Sequence, residues 1–221
     1  MSTSIIVPFR GTCPHRVRAH LLVRAFLEGQ FPEAEILDVD DGSEVFSKAR
    51  SINAGVVKSS GDLLVLHDAD SFVAPAQLHA ALDLAACLPE DAGRLIIPFS
   101  IVYYLTRETT DAVYAGRLPE VTQDSASYNA LMVGGINVLT RKTFDRVGGF
   151  DARFQGHGAE DRAFNAACET LTAPTMRTLG ALFHLWHPDD PTKNLAVEDA
   201  LAKRYLMASG NADAMRELGA R

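Results

Sequence analysis

Three cysteines in 221 residues, odd in number and without a CxxC spacing, exclude a disulfide framework and a zinc knuckle. A reducing compartment follows, and a cytoplasmic location is expected. Long hydrophobic runs are missing too: no uncharged stretch is long enough to span a bilayer, and no charged N-terminus precedes an apolar leader segment. A soluble protein without a membrane segment is expected. Positive charge is not in excess. A formal net charge of −7 and a pI near 5.5 speak against an extended nucleic-acid surface, because phosphate binding needs clustered Lys and Arg. The local concentration of Arg10, His15, Arg16, Arg18 and Arg24 instead suits a small phosphate ligand. Internal repeats and low-complexity linkers are also lacking. What is present is a chain with 47% hydrophobic residues and a mean hydropathy of +0.01, enough for a sizeable core and one compact domain over residues 1–221.

Apolar periodicity predicts alternating strands and helices. "SIIVPF" reads as a buried strand and "HRVRAHLLVRAFLEG" as a helix; "AEILDV" is a second strand and "VFSKARSINAGVVKSS" a second helix. "DLLVLH" and "PAQLHAALDLAACL" make a third pair, with Pro75 acceptable in the first turn. The expected fold class is α/β, a mostly parallel sheet covered by helices. "RLIIPFSIVYYL" follows as a strand or strand pair. Residues 106–130 lose periodicity and read as one long loop, a candidate lid. "GGINVLT" then reads as a strand, "RKTFDRVGG" as a short helix stopped by Gly148, and "AEDRAFNAACETL" and "LAVEDALAKRYLMAS" as helices.

Acids stand at the ends of the predicted strands: Asp40 and Asp41 after the second, Asp68 and Asp70 after the third. Ligands of open α/β sheets gather beyond such carboxyl ends. If "HDAD" stays extended, Asp68 and Asp70 point to one side and offer two hard oxygens to a divalent cation, or one to a cation and the other to a ribose hydroxyl. Capping of the next turn fits the same residues equally well.

The segments "IIVPFR", "EILDVDDGS", "ARSINAG", "SSGDLLVLHDAD", "GGINVLTRKTFDRVGGFDARFQGHGAEDRAF" and "HLWH" occur in that order between Ile5 and about His187. In this the chain resembles GT-A glycosyltransferases, above all the inverting family 2 enzymes and the galactosyltransferase family with a GGFD...WGGED signature. The resemblance implies a GT-A, Rossmann-like fold with a nucleotide-binding half over about 1–100, an acceptor half over about 101–190 and a helical segment over about 191–221. It implies a nucleotide-diphosphate sugar, a UDP-sugar, as donor, Mn²⁺ (or Mg²⁺) as cofactor, and a hydroxyl-bearing acceptor. Pro8, Phe9, Arg10, Arg50, Asn53, Gly134 and Gly135 fall in the donor-binding set. Asp40 with its neighbour Asp41 would read the uracil base, and Arg10 the diphosphate. Asp70 is the implied metal ligand and Asp68 a metal or ribose contact, with one or both of His184 and His187 of "HLWH" completing the site. Asp161 stands at the position of the general base, with Glu160 beside it.

The chain departs from the family pattern at His157, where Trp is common, at Ala159 for Gly, and at Arg162 for a further acid. Each piece also has a plainer explanation: an Asp-Gly turn for Asp40 and Asp41, acids complementing a helix dipole for Glu160 and Asp161, ordinary turn glycines for Gly148 and Gly149. Gly134 and Gly135 would let backbone approach the donor sugar. Tyr103, Tyr104, Tyr114 and Tyr128 are either core residues or faces on which a sugar stacks. The alternatives are an inactive nucleotide- or carbohydrate-binding module and a DxD metal-dependent phosphohydrolase, though the latter carries its motif after the first strand rather than the third. The sugar is left open, as is the acceptor among glycan, lipid-linked sugar, protein, small metabolite and modified nucleobase.

Overall fold

The computed structural model describes residues 1–89, 92–117, 121–122, 124–129, 132–156, 158–188 and 195–219. The expected alternation opens the chain: β1 (Thr3–Pro8), α1 (Pro14–Gln30), β2 (Glu35–Val39), α2 (Lys48–Lys58), β3 (Leu63–His67) and, after a short β4 (Ser71–Val73), α3 (Pro75–Cys87). Then come β5 (Ile96–Ile97), β6 (Ile101–Leu105), α4 (Arg107–Tyr114), β7 (Ala126–Asn129), β8 (Ile136–Thr140), α5 (Arg141–Val147) and α6 (Glu160–Leu171). The chain finishes with β9 (Met176–Arg177), β10 (Ala181–His184), α7 (Leu195–Ala208) and α8 (Ala212–Gly219). None of the described helices is long and apolar enough to cross a membrane.

A six-stranded sheet in the order β2-β1-β3-β8-β5-β9 forms the centre. β1 runs parallel to β2 and β3, and β5 to β9, while β8 enters antiparallel between β3 and β5. β8 reverses because it arrives from a hairpin strand rather than from a helical crossover, so the parallel rule does not bind it. Side-chain alternation splits the core in two. Ile5, Val7, Leu63 and Val65 face α1 and α3, whereas Ile6, Leu64 and Leu66 face α2, α5, α6 and the C-terminal helices. Buried on both sides, β3 is apolar throughout until His67.

A second sheet, β4-β10-β6-β7, corrects the expected loop over 106–130. Within that stretch α4 starts on Thr106, whose side chain accepts from the Thr109 N–H, and β7 pairs antiparallel with β6. The period was hidden because α4 is only eight residues long and β7 lies at a sheet edge. Residues 118–120, 123 and 130 of the proposed lid lie outside the described residues. A second correction concerns α2, which begins at Lys48 rather than Val45. Ser47 caps it by accepting from the Arg50 N–H, which ends the preceding extended chain there.

Gly55 sits where α2 meets β1 and β2: a Cβ there would lie 2.4 Å from Ile6 Cγ2 and 3.0 Å from Val39 Cγ2. Gly55→Ala is expected to lower stability by about 1–3 kcal/mol through overpacking, read as a fall in the urea midpoint at unchanged slope.

Candidate active site

Two groups of titratable side chains meet beyond the carboxyl end of β3. The first gathers on Asp70. A turn follows Asp68, whose carbonyl accepts from the Ser71 N–H at 3.4 Å, so "HDAD" is not extended and its two carboxylates part. Asp70 turns toward β10, where the Asp70 carbonyl accepts from the Leu185 N–H and Ser71 stands in register with His184. Its carboxylate then lies 3.5 Å from His184 Nε2, 3.3 Å from His187 Nε2 and 3.3 Å from Arg16 Nη2. Burial pushes the Asp70 carboxyl up, but His184, His187 and Arg16 outweigh burial and hold it far below the usual carboxylate range. It is therefore an anion at any physiological pH. His187 Nδ1 bonds the Pro188 carbonyl, which in the neutral tautomer leaves Nε2 free to ligate.

Asp70, His184 and His187 offer one ligand atom each, all within 4.8 Å of one another. A buried carboxylate with two imidazoles fits a borderline divalent ion such as Mn²⁺. Asp68 is not in this trio.

The second group surrounds Lys48. Its ammonium lies 2.7 Å from Asp68 Oδ1, 2.9 Å from Asp161 Oδ2 and 3.6 Å from Glu160 Oε1, and all but Asp68 are buried. Local structure brings these together. The Lys48 N–H donates to the Gly156 carbonyl, Gly156 N–H to the Phe46 carbonyl, and Ser47 Oγ to the Phe154 carbonyl, so the chain entering α6 is pinned to the start of α2. Burial pulls the Lys48 ammonium down, yet Asp161, Asp68 and Glu160 outweigh burial and raise its pKa well above the ordinary value. Burial and the Asp161 charge push Glu160 up to about 8, Lys48 opposing. Asp161 is raised too, by burial first, against the pull of Lys48. Glu160 Oε2 accepts from the Gly158 N–H and serves the uncapped start of α6, while Glu160 Oε1 and Asp161 Oδ1 are buried without a hydrogen-bond partner. Gly134 makes the approach of Asp161 possible: a Cβ there would lie 2.1 Å from Asp161 Oδ2. Within the chain, the close neighbours of Gly134 and Gly135 are Asp161 and Leu182, the latter 2.8 Å from a Gly135 Cβ.

The remaining expected residues divide. Pro8 ends β1, and Phe9 stacks on His20 with centroids 4.0 Å apart. Arg10 grips Asp40 with both arms of its guanidinium and reaches Asp41 at 3.3 Å, which lowers Asp40 to about 2. Arg50 donates to Asp41 and Ser43, holding the turn after β2. Asn53 gives its amide to the Phe150 carbonyl and takes the Phe150 N–H, so both its polar atoms clamp the glycine turn after α5. His157 lies outside the described residues. Lys48 was not foreseen; its only signal was a lysine at the first position of a helix, the end where the macrodipole disfavours a cation. Beside the trio, a cleft of about 1060 Å³ is lined by Tyr103, Tyr104, Arg107, Asp124, Tyr128 and Trp186 among others.

A family model described as "Glycosyltransferase like family 2" matches residues 30–176. Among solved structures, the catalytic domain of Drosophila β1,4-galactosyltransferase 7, in complex with xylobiose, superposes with a TM-score of 0.59 at 19% identity, over 92% of this chain and 80% of that one. A mannosyltransferase from Pyrobaculum calidifontis, in complex with GDP-Man and Mn²⁺, gives 0.54 at 15% identity over 97% of this chain and 64% of that one. Glucosyl-3-phosphoglycerate synthase from Mycobacterium tuberculosis, with Mn²⁺, UDP and glucosyl-3-phosphoglycerate, gives 0.51 at 14% identity over 94% and 79%. At such identities the likeness is one of fold. No curated protein sequence matches the chain.

The Glu160 shift has a sign that can be tested. Its carboxyl binds a proton more tightly folded than unfolded, so its contribution is full below the ordinary value of 4.5 and is lost as pH rises through about 8. Glu160→Gln is expected to flatten the fall in Tm between about pH 5 and 8, measured by scanning calorimetry on both proteins.

Proposed function

Because the chain belongs to the glycosyltransferase-like family 2 and has the GT-A fold, we propose that it transfers a sugar from a UDP-sugar to an acceptor hydroxyl with inversion. The observation that carries this is the side-by-side arrangement at the end of β3 of a three-ligand metal cluster and a buried carboxylate with one unpartnered oxygen.

Asp161 is the general base in this proposal. Its Oδ1 takes the proton of the acceptor hydroxyl as that oxygen attacks the anomeric carbon. The bond from the anomeric carbon to the diphosphate oxygen breaks with its electron pair leaving on the diphosphate, and attack from the opposite side inverts the centre. Asp70, His184 and His187 would hold Mn²⁺ (or Mg²⁺), which when bound supplies charge neutralisation for the departing diphosphate. Asp68, with its side chain 22% exposed, faces the donor ribose, and Pro8, Phe9, Asp40 and Asp41 form the base site. Arg10, Arg50 and Asn53 act there by holding Asp40, Asp41 and the turn at Phe150 in place. Residues of about 1–100 bind the donor and those of about 101–190 the acceptor, which enters the cleft bearing Tyr103, Tyr128 and Trp186.

Thermal shift titrations with UDP and GDP, each with Mn²⁺ or EDTA, test the donor site. A Mn²⁺-dependent rise with UDP is expected, worth about 2.7 kcal/mol at a hundredfold excess over Kd, and it disappears in Asp70→Asn. No rise with either nucleotide refutes the donor site. For the base, Asp161→Asn is expected to keep the UDP shift and lower kcat by about 10²–10⁴-fold. NMR of the product's anomeric proton decides the stereochemistry, and a retained configuration rejects inversion.

A further inference from the structure

Lys48 carries a burden that a merely structural residue would not. A buried ammonium must be desolvated, and a buried ion network is often no more stable than apolar residues of the same volume. Its place at the first residue of α2 is the positive end of the helix, the wrong end for a cation. Yet a cap at Ser47 and a backbone bridge to Gly156 put it there.

What it touches is unequal. Lys48 Nζ takes Asp161 Oδ2 at 2.9 Å, and Gly134 closes the other side of that same oxygen, with space too small for a Cβ. Asp161 Oδ1 is left buried and unpartnered. Through its 2.7 Å contact with Asp68 Oδ1, the same ammonium also ties this carboxylate to the end of β3.

We propose that Lys48 is a positioning residue: it fixes Asp161 by Oδ2 so that Oδ1 is the oxygen presented to the acceptor's proton, and it holds that base in register with the donor end of β3. This rests on Asp161 being the base. Lys48 acts on rate through Asp161, not on donor affinity.

The test is the steady-state release of nucleoside diphosphate from the UDP-sugar that wild type turns over, for Lys48→Met, Lys48→Arg, Asp161→Asn and the double variants. Lys48→Met is expected to lower kcat by about 10²-fold with donor KM within about threefold, and Lys48→Arg, which keeps the cation, to recover at least about tenfold of that loss. In the Asp161→Asn background either change at Lys48 moves the residual kcat by less than about threefold, the non-additivity of two residues acting as one unit. Near-UV circular dichroism checks folding. If Lys48→Met does not fold, the same comparison with Lys48→Arg decides: a kcat loss in wild type that vanishes in Asp161→Asn supports the proposal, and no loss overturns it. A raised donor KM at unchanged kcat overturns it by making Lys48 a donor contact, and equal losses in both backgrounds overturn it by making Lys48 structural. Wild-type kcat in Asp161→Asn instead refutes the base itself, a different result from any of these.

Discussion

A cation buried among three carboxylates is the interaction on which the site depends. Lys48 has Asp68, Asp161 and Glu160 within 3.6 Å, and they come from two parts of the chain: Asp68 from the end of β3, Glu160 and Asp161 from the first turn of α6. One positive charge against three potential negatives leaves an imbalance that burial magnifies. The site answers it with protonation of Glu160, whose carboxyl is raised to about 8. Burial raises the Asp161 carboxyl as well, with Lys48 pulling against it. The glycines around it follow from the same constraint, since Gly134 exists at a spot where any side chain would collide with the carboxylate.

The neighbouring cluster solves the opposite electrostatic problem. Asp70 is an anion with an excess of basic groups around it, His184, His187 and Arg16. Burial pulls His187 down, but Asp70 outweighs burial and raises its pKa above the ordinary value of 6.5. Protonation of that imidazole would therefore compete with any divalent ion held there as pH falls through the raised value. The turn between Asp68 and Asp70 sends neighbouring carboxylates to different cations, Lys48 and Arg16.

Much of this architecture is written in local pattern. The apolar runs of β1 and β3, the short helix α5 with its stop at Gly148, and the acids at strand ends follow from period and turn chemistry alone. Long-range pairing is what the pattern does not contain. β4, β9 and β10 have three, two and four residues, and their identity as strands comes from partners far away in sequence. The sequence groups Asp68, Asp70, His184 and His187; the fold brings Asp70, His184 and His187 within 4.8 Å of one another and parts Asp68 from them, a difference hidden because an extended and a turned "HDAD" have the same letters. Lys48 escaped for a different reason: lysine is normally a surface residue, and its burial follows from three acids up to 113 residues away.

The pairing of Ser71 with His184 places that imidazole by sheet register, one residue from Asp70 on one strand and at the end of the next. β7 lies at the far edge of that sheet, beyond β6. Changes along that edge strand do not enter the β4–β10 pairing. Changes at that edge can therefore remodel the wall of the aromatic cleft while Asp70, His184 and His187 keep their places, so that the cleft and the trio vary independently.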